Sequence, residues 1–446
     1  MAEADASPTV LVVGGGLAGL FCALECVRNG FRTTLVESKP AIQTAGDFIT
    51  IGPTAINALR RWPSMAAALD RIAYKPEIYY HKQDGELLAG PMPVHPNFGH
   101  IISRPALHRA LMEALELQGE EKVTIRCEAK VSRYWESETE SGVELADGET
   151  IRAHMTVAAD GIHSRSWTLV SGQAPAIVPS GLAMFRAAFP LEHALADPSL
   201  AARWTPTAED DKMGFFLAPG SFGIVMFGQG TASWVWQHRD DPATSSESWA
   251  ATLDPADALR QLDAEGCWGA DLRAVVAATP RAHIVDWRLM RRALRRGWGS
   301  PGGRLMQIGD AAHPFLPTTV NGGTQALEDG VSLARCLRLA VEKHGGGGGD
   351  PGSSLPDGAR VHNMLRIDRV AAIEATGMKR TQKHHQVDFE AVKKNPALVR
   401  NEPAPWQIDH DPEAYAEEMF DECLACLKEG RKFVNTNKPD EFVFEE

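Results

Sequence analysis

A Gly14-x-Gly16-x-x-Gly19 run lies between two apolar stretches, and no other feature constrains this chain so strongly. Ahead of it, Thr9 to Val13 reads as a short buried strand. Behind it, Leu20, Ala23, Leu24 and Val27 recur at helical spacing as far as Gly30, a suitable helix end. Thr33 to Val36 is a second apolar strand, closing at Glu37. The pattern predicts a βαβ unit built round a pyrophosphate. Gly14 permits the tight turn, Gly16 lets the backbone approach the phosphates, and Gly19 lets helix and strand pack closely. The helix N-terminus offers the anion free N–H groups and a partial positive charge. Glu37 accepts from ribose hydroxyls and would repel a 2′-phosphate, so the site suits FAD or NAD.

Composition narrows the partners. At roughly 150 residues per domain, a chain of 446 residues makes two or three structural units. Its formal charge of −13 argues against nucleic acid and against an anionic membrane surface. No apolar run approaches the ~20 residues of a membrane helix. The start, Met1 to Pro8, carries acids rather than a basic signal region, so a cytoplasmic protein is expected. The seven cysteines are scattered, and Cys423-x-x-Cys426 stands without further ligands, which predicts reduced, packed thiols and no metal. The expected partner is a small molecule, with the chain a monomer or weak homo-oligomer.

Further along, Pro105 opens a helix with Leu107, Leu111 and Leu115 on one face. Val123–Ile125, Val143–Leu145 and Met155–Ala159 read as strands, with a turn at Asp147-Gly148 between the last two. From Ser180 to Asp286 short β-like runs alternate with Pro, Asp and Ser breaks, as in a mostly antiparallel sheet. Helical periodicity returns after Thr319, and Asp357 to Thr381 reads as one long helix. The five glycines from Gly345 to Gly349 suggest a flexible surface loop between helices.

Two later segments separate FAD from NAD. These are Val157-Ala158-Ala159-Asp160-Gly161-Ile162-His163-Ser164 and Leu305-Met306-Gln307-Ile308-Gly309-Asp310-Ala311-Ala312-His313-Pro314. With the glycine run they occur in order, and here the sequence resembles the class A flavoprotein monooxygenases, the family of p-hydroxybenzoate and salicylate hydroxylases. The texture is nearest to fungal secondary-metabolite members acting on indole alkaloids and polyketide phenols. The resemblance implies an α/β fold: a Rossmann-like, GR2-type FAD-binding domain, an interleaved antiparallel β-sheet substrate domain, and C-terminal helices. The expected division is 1–80, 101–175 and 300–345 for FAD, 81–100 and 176–299 for substrate, and 346–446 for the helical segment and tail.

Residue by residue, the resemblance places Asp310, after Gly309, on the FAD ribityl chain. Asp160 and Gly161 touch FAD and a passing nicotinamide, and Arg104 contacts FAD. The family often carries Gly-Gln-Gly-x-Asn where this chain has Val320-Asn321-Gly322-Gly323-Thr324. Backbone N–H donors of Gly322 and Gly323 survive that change. Arg165 follows the Asp-Gly motif as in relatives, while Trp167 takes a position that is commonly basic. No second strand–G-x-G-x-x-G–helix unit follows, so NAD(P)H is expected as a transient co-substrate in a surface cleft. Arg288, Arg291, Arg292, Arg295 and Arg296 could meet its phosphates, or form a solvated basic face.

On the substrate side, Phe185 with Ala187 and Trp234 with Trp236 show period-two alternation, usually a core signature but open to a pocket role. Arg186 interrupts an apolar run, where a cation is costly unless paired or facing a ligand. Asp47, between Gly46 and Phe48-Ile49, is a similar oddity. An Asp47–Arg186 pair across the pocket is expected, with the resemblance making Arg186 a substrate-orienting or proton-donating group. The implied reaction inserts one atom of O2, activated on reduced flavin, into an electron-rich aromatic or indole, giving a phenol or an epoxide. The alternatives are a flavin oxidase or dehydrogenase on the same fold, and a non-catalytic FAD-fold binding protein.

Overall fold

The computed structural model describes residues 7–40, 46–174, 176–344, 351–400 and 402–445. The five-glycine run lies outside them. β1 (Thr9–Val13) sits at the centre of a five-stranded parallel sheet ordered Leu305–Gln307, Met155–Ala158, β1, β2 (Arg32–Val36) and Val123–Arg126. Its central strands are continuous apolar runs because helices cover the sheet, as parallel sheets require. The helix α1 (Leu17–Arg28) joins β1 to β2 and packs on the long helix Gly322–His344.

The second layer is an eight-stranded sheet. Its order is Thr252–Leu253, Ile284–Arg291, Val178–Pro190, Thr231–Arg239, Ser221–Gly228, Asp211–Ala218, Pro76–Lys82 and Leu87–Met92. Every neighbouring pair is antiparallel except Asp211–Ala218 with Pro76–Lys82. The strand Pro76–Lys82 straddles the boundary expected at residue 80 and belongs wholly to this sheet. Asp147-Gly148 also turns into a nearer partner than expected: the strand after it is Thr150–Ala153.

Side chains alternate across the sheet with period two. Phe185, Ala187, Trp234 and Trp236 face the helices Pro255–Glu265 and Ala270–Ala277, in a core with Leu262 and Leu272. Phe185 stacks on Trp236 with ring centroids 5.5 Å apart, and Trp234 Nε1 donates to Thr279 Oγ1 at 2.9 Å. The pocket role left open for these residues is therefore corrected: the opposite parity, Met184, Arg186 and Val235, faces the cavity between the layers.

A small sheet of Phe48–Ile51, His100–Ser103 and Ala73–Tyr74 bridges the layers and holds Asp47 and Arg104 side by side, with Arg104 N–H donating to the Asp47 carbonyl at 2.9 Å. The C-terminal helices Leu355–His385 and Pro412–Glu429 pack on Gly322–His344. Buried ion pairs tie the first of them down: Arg366 to Glu328 at 2.5 Å and Asp329 at 2.8 Å, and Arg369 to Glu328 at 3.0 Å. Burial alone would raise both carboxyls, but the side chains paired with them outweigh it and hold them well below the usual range. Arg369 and Arg366 do so for Glu328, and His313 and Arg366 for Asp329. Five of the seven cysteines are buried. Among the described residues no helix is long and apolar enough to cross a membrane, and no cluster of His, Cys, Asp and Glu could hold a metal.

Candidate active site

The glycine run forms the tip between β1 and α1. A Cβ on Gly19 would collide with the Gly14 carbonyl, and one on Gly14 with the Ala159 carbonyl. Gly14 also holds φ at +111°, a conformation that side chains resist. Gly16 by contrast opens on empty space, and no side chain caps α1. An uncapped helix end beside an open glycine is what a pyrophosphate needs. Glu37, at the end of β2, accepts from Gly15 N–H at 2.8 Å, and from Ser38 Oγ and Lys39 N–H at 2.9 Å. The carboxylate is thus held beside the glycine tip.

Asp160 and Gly161 follow the neighbouring strand. Tyr134 Oη donates to Asp160 Oδ2 at 2.8 Å, while burial pushes the Asp160 carboxyl up. Gly309 and Asp310 form a short turn after Leu305–Gln307, with Asp310 open to the cavity. Arg292 stitches these two loops together. It donates to the carbonyls of Ile162 at 2.9 Å, Asp310 at 3.2 Å and Ala311 at 2.7 Å, and lies 4.4 Å above the Trp167 ring. Burial lowers its pKa to about 10. Trp167 Nε1 donates to the same Ala311 carbonyl at 3.0 Å, which accounts for a tryptophan at this position.

These contacts correct the reading of the arginine run as one phosphate-binding or solvated face. Arg292 is buried, Arg288 pairs with Asp240 at 3.1 Å and Arg296 with Asp368 at 3.2 Å, so only Arg291 and Arg295 stay exposed. His313 packs internally, with Nε2 2.6 Å from Asp329 Oδ2.

Between the layers lies a cavity of about 430 Å³. Its wall includes Asp47, Arg104, Arg186, Asp310, Gly322 and Gly323. Asp47 and Arg186 form a two-toothed ion pair, Nε to Oδ2 at 2.9 Å and NH2 to Oδ1 at 2.5 Å. Asp47 is 5% exposed, so this pair is largely desolvated. The Arg186 guanidinium also sits 5.2 Å from the Trp249 ring centroid. Arg104 is deeply enclosed; burial and then Arg186 lower its pKa, while Asp47 and Asp310 oppose them. The first turn of Gly322–His344 opens on the same cavity, where its leading N–H groups have no acceptor within the helix.

Among the cavity residues that the sequence reading does not single out are Trp249, Arg380, His385 and Arg400. Trp249 had a faint signal, a lone aromatic directly after the polar run Ser245–Ser248. The other three come from the C-terminal segment, and nothing in their spacing marks them.

The residues present fit FAD: an uncapped helix end with an open glycine for the pyrophosphate, a fixed carboxylate for the ribose, and Asp310 and Arg104 on the wall leading into the cavity. Comparison with known proteins agrees. The FAD binding domain family matches residues 7–348. The FAD-dependent monooxygenase fsr3 of Gibberella fujikuroi is 36% identical, over 96% of this chain and 83% of the relative. The FAD-dependent monooxygenase mdpD of Emericella nidulans is 35% identical, over 97% and 84%. Among solved structures, FqzB superposes with a TM-score of 0.85 at 28% identity, covering 99% of each chain. CtdE in complex with FAD and a substrate gives 0.83 at 27%, covering 95% of this chain and 100% of that one. The chain belongs to this FAD-binding family and is an FAD-dependent monooxygenase, with FAD as its cofactor.

Proposed function

We propose that this enzyme takes its electrons from NAD(P)H and inserts one atom of O2 into an electron-rich aromatic or indole small molecule, by hydroxylation or epoxidation, in secondary metabolism. The observation that carries the reading is the desolvated Asp47–Arg186 pair, set in an apolar cavity that Asp310, Arg104 and the Gly322 helix end also line. FAD, when bound and reduced, supplies the activation of oxygen. The protein supplies position and dryness. Asp47 fixes the Arg186 fork, leaving Arg186 N–H groups to orient an oxygen or a developing negative charge on the substrate. Met184, Val235, Phe222 and Ile224 keep water from the reacting atoms. Arg104 and the Gly322–His344 helix end bring positive potential to the side where the isoalloxazine would gain negative charge.

Tyr80 lines the cavity, but burial pushes its phenol to about 12, so at neutral pH it donates a proton rather than accepting one. The test is turnover under ¹⁸O₂ with NADH or NADPH and a panel of indoles and phenols. One labelled oxygen in the product is the expected result. Substrate oxidised without label and without any need for NAD(P)H would favour an oxidase or dehydrogenase instead.

A further inference from the structure

The glycine tip is held from several sides. Gly14 N–H donates to the Val36 carbonyl at 2.8 Å, and Gly15 N–H to Glu37 Oε2 at 2.8 Å. The Gly16 carbonyl accepts from Leu20 N–H at 2.9 Å, in the first turn of α1. The Gly15 carbonyl is taken by a side chain from another element, His108, whose Nε2 lies 2.7 Å away. A carbonyl only accepts, so Nε2 carries a proton and donates it. The other ring nitrogen, Nδ1, is buried without a partner. That suits the bare lone pair of a neutral ring, because a second N–H there would be stranded. Burial lowers the His108 pKa in the same sense.

His108 stands on the helix Arg104–Glu116, one turn beyond Arg104 and so on the same face. Arg104 reaches the cavity wall, while His108 reaches the glycine tip. Leu107, Leu111 and Leu115 of this helix share a core with Leu20, Phe21 and Leu24 of α1. The donor therefore comes from a rigid support packed on the very helix that the tip opens.

What the bond controls follows from the peptide plane. In a trans peptide the carbonyl and the next N–H point in opposite directions. Fixing the Gly15 carbonyl toward His108 thus turns the Gly16 N–H away from it. That N–H has no acceptor among the described residues, and a Cβ on Gly16 would meet nothing within 4 Å. A run of three glycines has an unusually free backbone, so without a restraint this peptide would rotate.

We propose that His108 is a positioning residue for the cofactor: it holds the Gly15–Gly16 peptide so that the Gly16 N–H meets the pyrophosphate of FAD. The cradle is then set before FAD arrives, and binding loses less entropy.

The test follows FAD release from the holoenzyme, by recovery of flavin fluorescence on dilution, and displacement of FAD by ADP-ribose. ADP-ribose carries the adenosine and the pyrophosphate without the flavin ring. His108→Phe keeps a ring and removes the donor. It should weaken FAD and ADP-ribose alike, by about tenfold. His108→Gln puts an amide N–H where Nε2 stood and should stay within about threefold of wild type. His108→Asn carries the same amide too short to reach the carbonyl, and should weaken both ligands by about tenfold. It keeps the comparison decisive if His108→Phe does not fold. Wild-type affinity for FAD in His108→Phe or His108→Asn overturns the proposal. So does a loss in His108→Gln as large as in His108→Asn, which would make His108 a packing residue. Weakened FAD with unchanged ADP-ribose also overturns it, because the effect would then lie away from the pyrophosphate.

Discussion

The two sheets of this molecule solve opposite problems. The parallel sheet presents backbone at the end of its central strand: turns, an uncapped helix end, and Gly14 and Gly19 with no room for a side chain. The antiparallel sheet presents a cavity on its face, lined by side chains of only one parity of each strand. Backbone recognition needs a short contiguous pattern, and face recognition needs partners far apart in the chain. Asp47 and Arg186 are the extreme case, since they come from different layers and meet only because the small bridging sheet brings them together.

That contrast can be broken by experiment. The largest effect should follow Gly19→Val, which drives a side chain into the Gly14 carbonyl. The purified protein should be colourless, with a flavin-to-protein ratio near zero; retained flavin would mean the glycine tip is not the nucleotide cradle. Next come two substitutions at adjacent positions on one strand. Trp236→Ala empties core and should cost about 3–5 kcal/mol of stability by denaturant melting. Val235→Phe narrows the cavity and should raise KM while stability stays within about 1.5 kcal/mol. If the two effects exchanged places, the parity assigned to the strand would be wrong. Arg292→Gln loosens the stitch between the two cofactor loops. FAD should bind about tenfold more weakly, with substrate affinity of the loaded enzyme little changed.

The smallest effect is a dependence on pH. Burial lowers His362 to about 3, so the folded chain keeps it neutral while the unfolded chain protonates it near its ordinary value of about 6.5. Between those values the unfolded state binds more protons, so stability falls as pH drops. From pH 7 to pH 5 this one group should remove roughly 1–2 kcal/mol. His362→Gln should flatten that part of the Tm profile, and an unchanged slope would show that other groups carry the loss. The depressed carboxyls of Glu328 and Asp329 act lower. Their stabilisation is present above about pH 4 and lost as pH falls further.

How much of this was legible beforehand follows the same division. The βαβ tip, Glu37, and the Asp160 and Asp310 loops could be read because each is a local pattern whose chemistry lies within a few residues. Arg186 and Asp47 could be read because a charge inside an apolar run demands a partner. The arginine run misled for the converse reason. Five cations close in sequence look like one face, yet Asp240 and Asp368 draw two of them away and the Ile162, Asp310 and Ala311 carbonyls draw a third. Arg380, His385 and Arg400 carry no period or motif, and only the packing of Val392 and Val399 onto the antiparallel sheet brings their segment to the cavity.

The central claim is that the Asp47–Arg186 pair positions substrate in a dry cavity. Its most direct test is the coupling of reductant to product. In Asp47→Asn the guanidinium loses its charged anchor while the nucleotide cradle is untouched. FAD content and reduction by NAD(P)H should persist. Most of the oxidised reductant should then appear as hydrogen peroxide, with oxygenated product falling about tenfold or more per reductant consumed. Wild-type coupling in that variant, with flavin bound and substrate saturating, would contradict the account.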